Sequence, residues 1–456
     1  MTHGSKTIAC HGDPRRVALE VLLAVEGGLE RPEAALEARG RLLGERDRRL
    51  AAALVYACLR HRMRLEAIAS SRLAKGRAPR RLMGILKIGL AQLLFFRVPA
   101  FAAVNETVGL ARRIQPALAP VANAVLLRLA REKEEAERDR GVPFPIETCR
   151  GGASREERLS VLYSHPLWLV GEMVALLGFR GARALLVAGN LPPGPTLRAN
   201  PLKTSREDLA AILPWPVVPT RFSPYGLATA GPLGRPDAWP GFGDGLFAIQ
   251  DEASQILPLL AGEPRRVLDG CAGQGGKGLA LATVFPGASV VSLDVSSRRL
   301  SRIAAEARRL GLPRPPEVLE GDLRTASIPG AGFDLVLVDP PCSSLGIARR
   351  HPDVKWNVAE ADLARISALE LELLSAAAGH VASGGRLVYS VCTFLPAECE
   401  EVVAAFLSSR PDFHPLGPEV FPPVLVGLFS APGQLRLWPH RDGTDGFFYA
   451  VLERRP

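Results

Sequence analysis

Apolar residues recur with helical spacing through the first 140 positions of the chain. Ala18, Val21, Leu22 and Val25 fall at i, i+3, i+4 and i+7, and Leu50, Leu54, Ala57 and Cys58 repeat that period. Leu82, Ile85, Leu86, Leu90, Leu93 and Leu94 make a third apolar face. Val104, Val108 and Ala111 make a fourth after Pro99, and Val121, Val125, Leu126 and Leu129 a fifth. No alternating apolar and polar run interrupts them, so residues 1–140 predict a small all-α bundle. An almost wholly charged stretch, Arg131 to Arg140, closes it, and Gly141-Val-Pro-Phe-Pro-Ile-Glu reads as a linker.

The pattern then changes twice. Residues 150–245 carry proline clusters such as Leu191-Pro-Pro-Gly-Pro-Thr and Leu213-Pro-Trp-Pro-Val-Val-Pro, which predict a small α+β domain of short strands, turns and a few helices. From Arg265 onward, short apolar strands alternate with helices. Strands are predicted at 267–269, 289–293, 317–320, 334–338 and 386–391, with helices such as 297–310 and 361–381 between them. This alternation predicts an α/β fold, a doubly wound parallel sheet, over residues 246–456. Ligands bind such sheets at the carboxyl ends of the strands, where Asp294, Asp322, Asp339 and Cys392 stand.

Composition adds a partner class. With 47% hydrophobic and 23% charged residues, the chain is neither disordered throughout nor collagen-like. The net charge of +9 is unevenly placed: residues 1–140 hold 26 basic against 15 acidic side chains, and the remainder 30 against 32. A basic front on a neutral body points to a polyanion, nucleic acid first, docked in front with the chemistry behind. The seven cysteines (Cys10, Cys58, Cys149, Cys271, Cys342, Cys392 and Cys399) include no CxxC pair, so neither a zinc ribbon nor a disulfide framework is indicated. The N-terminus lacks an apolar signal core, and the apolar stretch 83–104 is broken by Lys87, Gln92 and Arg97. The expectation is a cytoplasmic protein with free thiols, no membrane span and no metal.

The loop after the first of these strands is Asp269-Gly-Cys-Ala-Gly-Gln-Gly-Gly-Lys-Gly278, whose glycines let a ligand approach the backbone. Gly273, Gly275 and Gly278 satisfy G-x-G-x-x-G, a fingerprint that suits NAD equally. Asp294 suits a ribose diol, or a helix N-cap beside Ser296 and Ser297. The fourth strand decides between cofactors. It ends in Asp339-Pro-Pro-Cys-Ser343, and an acid, two prolines and a reactive side chain at that point suit an S-adenosylmethionine enzyme acting on a nucleobase. Amino-methylating enzymes carry an aromatic residue where Cys342 stands, so the cysteine favours C5 of a pyrimidine. Cytosine C5 is a poor nucleophile until a thiolate adds to C6 and makes it enamine-like. That chemistry needs a thiol, an acid at the N3 and amino edge, and a proton acceptor. Cys342 and Cys392 are both at strand ends, although a single cysteine reads as readily as a small buried apolar residue.

The motifs Asp269-Gly-Cys-Ala-Gly-Gln-Gly-Gly-Lys-Gly278, Asp339-Pro-Pro-Cys-Ser-Ser-Leu-Gly-Ile-Ala-Arg-Arg-His-Pro-Asp-Val-Lys-Trp356 and Leu387-Val-Tyr-Ser-Val-Cys-Thr-Phe-Leu-Pro-Ala-Glu-Cys-Glu-Glu401 resemble those of RNA 5-methylcytosine methyltransferases of the RsmB/Nop2/Sun family. The likeness runs from about Thr196 to Asp445-Gly-Phe-Phe-Tyr-Ala-Val-Leu452. Ile88-Gly-Leu-Ala-Gln-Leu-Leu, Val98-Pro, Val104-Asn-Glu and Val121-Ala-Asn-Ala-Val-Leu resemble the RNA-binding fold of the antitermination factor NusB. The resemblance implies a NusB-like RNA-binding domain at 1–140, a small RNA-binding or linking domain at 150–245, and a Rossmann-like methyltransferase domain at 246–456. It implies a monomer that uses S-adenosylmethionine to form 5-methylcytosine in RNA, with small-subunit (16S) ribosomal RNA as substrate.

By that resemblance Cys392 is the nucleophile and Cys342 assists proton removal or enzyme release. Asp339 binds the cytosine edge and supports cofactor placement. Cys271, Ala272, Gly273, Gln274, Gly275, Gly276 and Lys277 wrap the methionine part of the cofactor, Asp294 holds its ribose and Asp322 its adenine side. Three departures from the family pattern stand out. Gly273-Gln274 replaces an Ala-Pro pair, Asp-Pro-Pro-Cys replaces Asp-Ala-Pro-Cys, and Val391-Cys392-Thr393 replaces Thr-Cys-Ser, which implies weaker thiolate stabilisation. Arg349, Arg350, His351, Lys355 and Trp356 read either as RNA contacts or as a solvated loop, and the cluster Arg77, Arg80 and Arg81 as a second basic patch. A non-catalytic RNA-binding assembly factor that retains a cofactor pocket is the alternative, against which the intact Cys342, Cys392 and Asp339 argue.

Overall fold

A computed structural model describes residues 12–73, 78–138, 153–229, 234–330 and 332–456. The chain divides into two compact units. One holds Met1–Asn190 together with His351–Asn357, the other Leu191–Arg350 and Val358–Pro456.

The first unit is helical. It contains α1 (Pro14–Val25), α2 (Pro32–Arg39), α3 (Glu45–Arg60), α4 (Arg62–Ser70), α5 (Arg80–Phe95), α6 (Ala100–Ile114) and α7 (Ala119–Arg138), followed by α8 (Arg155–Tyr163) and α9 (Leu167–Gly189). Asp13 caps α1 by accepting from the Arg15 N–H at 2.9 Å, with Pro14 at the first helical position. The predicted apolar faces meet in one core, where Leu22, Leu54, Ile85, Leu86 and Leu126 are fully buried. Lys87 of α5 is buried too, its ammonium paired with Glu26 and, at 3.1 Å, with Glu66. Arg80 and Arg81 are exposed at the start of α5, whereas Arg77 and the linker at 141–147 lie outside the described residues.

The division between Asn190 and Leu191 departs from the expected junctions near residues 140–150 and 245. The stretch expected to hold short strands opens instead with two helices, α8 and α9. A capping box from Ser154 and Glu157 starts α8, and α9 buries Leu169, Val170, Met173, Leu185 and Leu186. The Arg64 N–H donates to Ser164 Oγ at 3.0 Å, which fastens the end of α8 to α4. Apolar side chains on both helices need cover, and the helical unit supplies it.

The second unit opens with a four-stranded antiparallel sheet in the order β2-β3-β1-β4, from β1 (Thr196–Ala199), β2 (Val217–Pro219), β3 (Gly226–Thr229) and β4 (Phe247–Ile249). Between β1 and β2 lies α10 (Arg206–Ile212). Two short helices, α11 (Glu252–Gln255) and α12 (Leu257–Leu260), lead into the larger sheet.

That sheet begins with β5 (Arg266–Asp269), α13 (Gly276–Val284), β6 (Ser289–Asp294), α14 (Ser297–Leu310), β7 (Glu317–Glu320) and β8 (Phe333–Val338). After α15 (Val354–Asn357), which belongs to the first unit, come α16 (Leu363–Ala378), β9 (Val381–Val391) and α17 (Glu400–Ser409). The strands β7-β6-β5-β8-β9 are parallel, and the order reverses between β5 and β8. This is the doubly wound arrangement expected, with its crevice at the carboxyl ends of β5 and β8.

The carboxyl-terminal strands extend it in the opposite sense. They are β10 (Phe413–Pro415), β11 (Phe429–Ala431), β12 (Gln434–Leu437) and, after α18 (Pro439–Asp442), β13 (Phe447–Arg454). β13 runs antiparallel against β9, β12 against β13, and β11 against β12, while β10 also pairs with β13. The chain is thus a Rossmann-like sheet with an antiparallel flank. Among the described residues no helix is long and apolar enough to cross a membrane.

Candidate active site

The loop between β5 and α13 is shaped by contacts that only glycine permits. Gly275 has φ +84°, and a Cβ there would lie 2.8 Å from Ile303. A Cβ on Gly278 would lie 2.7 Å from Asp269 Oδ2, the oxygen to which the Gly278 N–H donates at 3.1 Å. The other Asp269 oxygen, Oδ1, is buried and accepts no hydrogen bond. Burial, and then the charge of Asp339, push the Asp269 carboxyl up to about 7. The loop therefore ends at a helix N-terminus with an acceptor at its floor.

The predicted loop residues each have a defined place. The Ala272 N–H donates to Leu293 O at 2.9 Å, and the Gly273 N–H to Asp294 Oδ2 at 2.8 Å. Gln274 accepts from Arg302 at 2.9 Å, and the Gly276 carbonyl accepts from Gln250 at 3.1 Å. The Cys271 thiol is pushed up by burial and then by the carboxylates around it, Asp269 first among them, so it stays protonated. Asp294 Oδ1 accepts from the Ser296 N–H at 2.9 Å and pairs with Arg299 at 3.0 Å. The N-cap of α14 is Ser296, not Asp294. Asp322 stands past β7, and Arg324 clasps its carboxylate at 2.6–3.2 Å and holds it down at about 2.

Strands β8 and β9 are adjacent and parallel, so the residues just past their ends share one edge. Asp339 follows β8, and its Oδ2 accepts from Lys277 Nζ at 2.6 Å while its Oδ1 accepts from Ser390 Oγ at 3.1 Å. Lys277 is thus turned from the glycine loop toward Asp339. Burial lowers its ammonium, and the charge and hydrogen bond of Asp339 outweigh that and raise it.

Cys342 Sγ lies 3.4 Å from Cys392 Sγ. The two thiols are unequal. The hydrogen bond shared with Cys342 lowers Cys392, against burial and the charge of Asp339, and the Lys277 charge adds to the lowering. The same bond, with burial, pushes Cys342 well up. Of the two, Cys392 is the thiol more readily ionised, and the pair shares one proton between its sulfurs when it ionises.

Sequence reasoning missed Ser390 and Glu398. Glu398 is fully buried, accepts from Ser343 and Thr393, and lies behind both cysteine loops. The signal was available: Glu398 occupies the buried phase of a run in which Cys399, Val402 and Val403 are core.

The cations after the Cys342 loop take neither of the places expected for them. Arg350 is spent on Asp251 and Asp445, each at 2.7 Å, and Arg349 on the carbonyls of Gly443 and Thr444, each at 2.8 Å. Lys355 is wholly buried in the first unit, where it donates to Arg60 O, Ser164 O and Asn190 Oδ1 at 3.0, 2.8 and 3.3 Å. Trp356 Nε1 donates to Leu59 O at 3.0 Å, and His351 Nδ1 lies 3.1 Å from Glu33.

Comparison with known proteins bears on what these residues do. Residues 256–453 match the family described as 16S rRNA methyltransferase RsmB/F, and residues 13–131 match the NusB family. The chain is 34% identical over 425 residues to the ribosomal RNA small subunit methyltransferase B of Serratia proteamaculans, covering 90% of this chain and 91% of that one. Among solved structures, PH0851 superposes with a TM-score of 0.74 at 24% identity, covering 97% of this chain and 99% of that one. A methyltransferase homolog protein from Pyrococcus horikoshii superposes at 0.56 and 22% identity, covering 66% and 99%. At those identities the superpositions speak for the fold.

Proposed function

The chain belongs to the RsmB/F family of S-adenosylmethionine-dependent 16S rRNA methyltransferases, and on that footing we propose that it forms 5-methylcytosine in small-subunit ribosomal RNA through a covalent bond from Cys392 to cytosine C6. The observation that carries this reading is the 3.4 Å approach of Cys342 Sγ and Cys392 Sγ at the ends of adjacent strands, beside the Lys277–Asp339 pair. Bound S-adenosylmethionine supplies an electrophilic methyl group. The donor set suits it: the unpaired Asp269 Oδ1 is an acceptor for its ammonium, and the glycine loop leaves room that a Cβ would fill. Residues Cys271 to Lys277 would line its methionine part, with Asp294 at the ribose and Asp322 on the adenine side.

The chain's own residues divide the remaining work. Asp339, paired with Lys277 at 2.6 Å, accepts from the amino group of cytosine, a donor that uracil lacks. Cys392, the more acidic thiol, adds to C6, which makes C5 nucleophilic. Cys342 then serves removal of the C5 proton or enzyme release, and loss of that proton lets the Cys392 sulfur leave by β-elimination. The basic helical front, residues 1–140, captures RNA, and the small sheet β1–β4 helps to present it.

The two cysteines should fail differently on substitution. Cys392→Ser should abolish turnover and form no adduct. Cys342→Ala should still attack and then stall as a protein–RNA adduct that survives denaturing electrophoresis. An adduct trapped in the Cys392 variant instead would move the nucleophile to the Asp-Pro-Pro-Cys loop.

A further inference from the structure

We propose that Glu398 is a positioning residue for the reaction, a single buried carboxylate that clamps the Cys342 loop to the Cys392 loop and so sets the distance between the two thiols. The proposal rests on the reading that both thiols serve one base.

Three donors converge on this carboxylate. The Ser343 N–H donates to Oε1 at 2.6 Å, and the Ser343 and Thr393 hydroxyls approach Oε2 at 2.6 and 3.0 Å. The two hydroxyls also lie 2.8 Å from each other. Ser343 directly follows Cys342 and Thr393 directly follows Cys392, so the clamp holds each loop one residue beyond its sulfur. The jaw is itself fixed, because Tyr389 of β9 donates from its hydroxyl to the Glu398 carbonyl at 2.7 Å. A backbone bond from the Gly346 N–H to Cys392 O at 2.9 Å also ties the two loops.

The residue type matters here. Glu398, Thr393 and Ser343 are buried; burial raises the Glu398 carboxyl, and the donors from Ser343 and Thr393 work against that rise. A carboxylate is acceptor-only and can take all three donors. A glutamine has one acceptor oxygen, and its NH2 would face a group that is itself donating. Filling the volume would call for an apolar side chain. Converging donors call for an anion.

Thr393 also accounts for the departure from Thr-Cys-Ser noted in the sequence. The hydroxyl after the nucleophile is retained, and the clamp uses that hydroxyl. The preceding residue, Val391, lies in β9 opposite Phe448, where a hydroxyl would have no part in the clamp.

The test uses the full-length protein and two readouts. The first, without RNA, is the rate at which diamide oxidises Cys342 and Cys392 to a disulfide, followed by peptide mapping under non-reducing conditions. The second is methyl transfer with kcat and KM separated. Glu398→Gln should slow disulfide formation about tenfold, as expected for the loss of one charge-assisted hydrogen bond, and lower kcat with KM for RNA unchanged. Thr393→Val, which removes only one donor, is the milder variant if Glu398→Gln does not fold. It should act in the same direction, and Thr393→Ser should restore both readouts. Disulfide formation at the wild-type rate in a folded Glu398→Gln or Thr393→Val protein would overturn the clamp. Slower disulfide formation with unchanged kcat would overturn its role in the reaction. Because the first readout needs no catalysis, the clamp can be judged even if the cysteines prove not to be catalytic.

Discussion

The side chains around the paired thiols are set apart in acidity by burial and hydrogen-bond partners, not by residue type. Cys342 and Cys392 are the same residue 3.4 Å apart, yet their surroundings push the first up and the second down. Behind them, Glu370 of α16 is fully buried beside Glu398 and Tyr389. Burial, followed by the charge of Glu398, pushes Glu370 up to about 10. An acid raised in the folded state must take up a proton to fold at any pH above its unfolded value, near 4.3. The folded state then binds more protons than the unfolded one, so this term lowers stability as pH rises from that value to about 10. Glu370→Gln keeps the neutral shape and removes the term. Its melting temperature should therefore exceed wild type at pH 8, by roughly 2–4 °C for each kcal/mol regained, and match it near pH 4. Equal melting curves at pH 8 would mean that Glu370 is ionised in the folded protein.

At the scale of elements, one carboxylate joins three. Asp294 ends β6, accepts from the Gly273 N–H of the glycine loop, and holds the entry to α14 through Ser296 N–H and Arg299. Asp294→Ala removes these charge-assisted bonds together with any to a ribose, each worth roughly 1.5–3 kcal/mol. Affinity for S-adenosylmethionine should fall about ten- to a hundredfold by isothermal titration, and unchanged affinity would remove Asp294 from the site. Elements of this kind were legible in the sequence because strand ends coincide with a change of residue type. The predicted strands 317–320 and 334–338 differ from β7 and β8 by no more than one residue. The antiparallel flank was not legible. Phe447-Phe-Tyr-Ala-Val-Leu452 is a continuous apolar run, buried on both faces, and such a run says nothing about direction or partner. The cations at 349–355 were misread for a related reason. A charge reads as solvated until its partners are known, and the partners of Arg350 lie at Asp251 and Asp445, far off in sequence.

At the scale of the whole molecule, charge and compactness follow different boundaries. The excess of 26 basic over 15 acidic residues ends at 140, but the compact helical unit continues to Asn190 and includes His351–Asn357. A truncation near Gly151 would therefore leave α8, α9 and α15 without the helices that bury them, and strip Lys355 of the Arg60 carbonyl. RNA capture by the basic front is better tested in the full chain. Arg80 and Arg81 are exposed at the start of α5, where Arg80 reaches one carbonyl, Leu23 O, at 3.3 Å, so both can be changed with little effect on the core. Each phosphate contact to single-stranded RNA releases condensed counterions and adds roughly 0.7 to the slope of log K against log salt. Replacing both arginines by glutamine should flatten that slope by up to about 1.4 and weaken RNA binding most at low salt, with S-adenosylmethionine affinity as the control. An unchanged slope would move the docking surface away from the start of α5. A fall in cofactor affinity as well would mean that the substitutions reach the methyltransferase unit, against the division of labour proposed here.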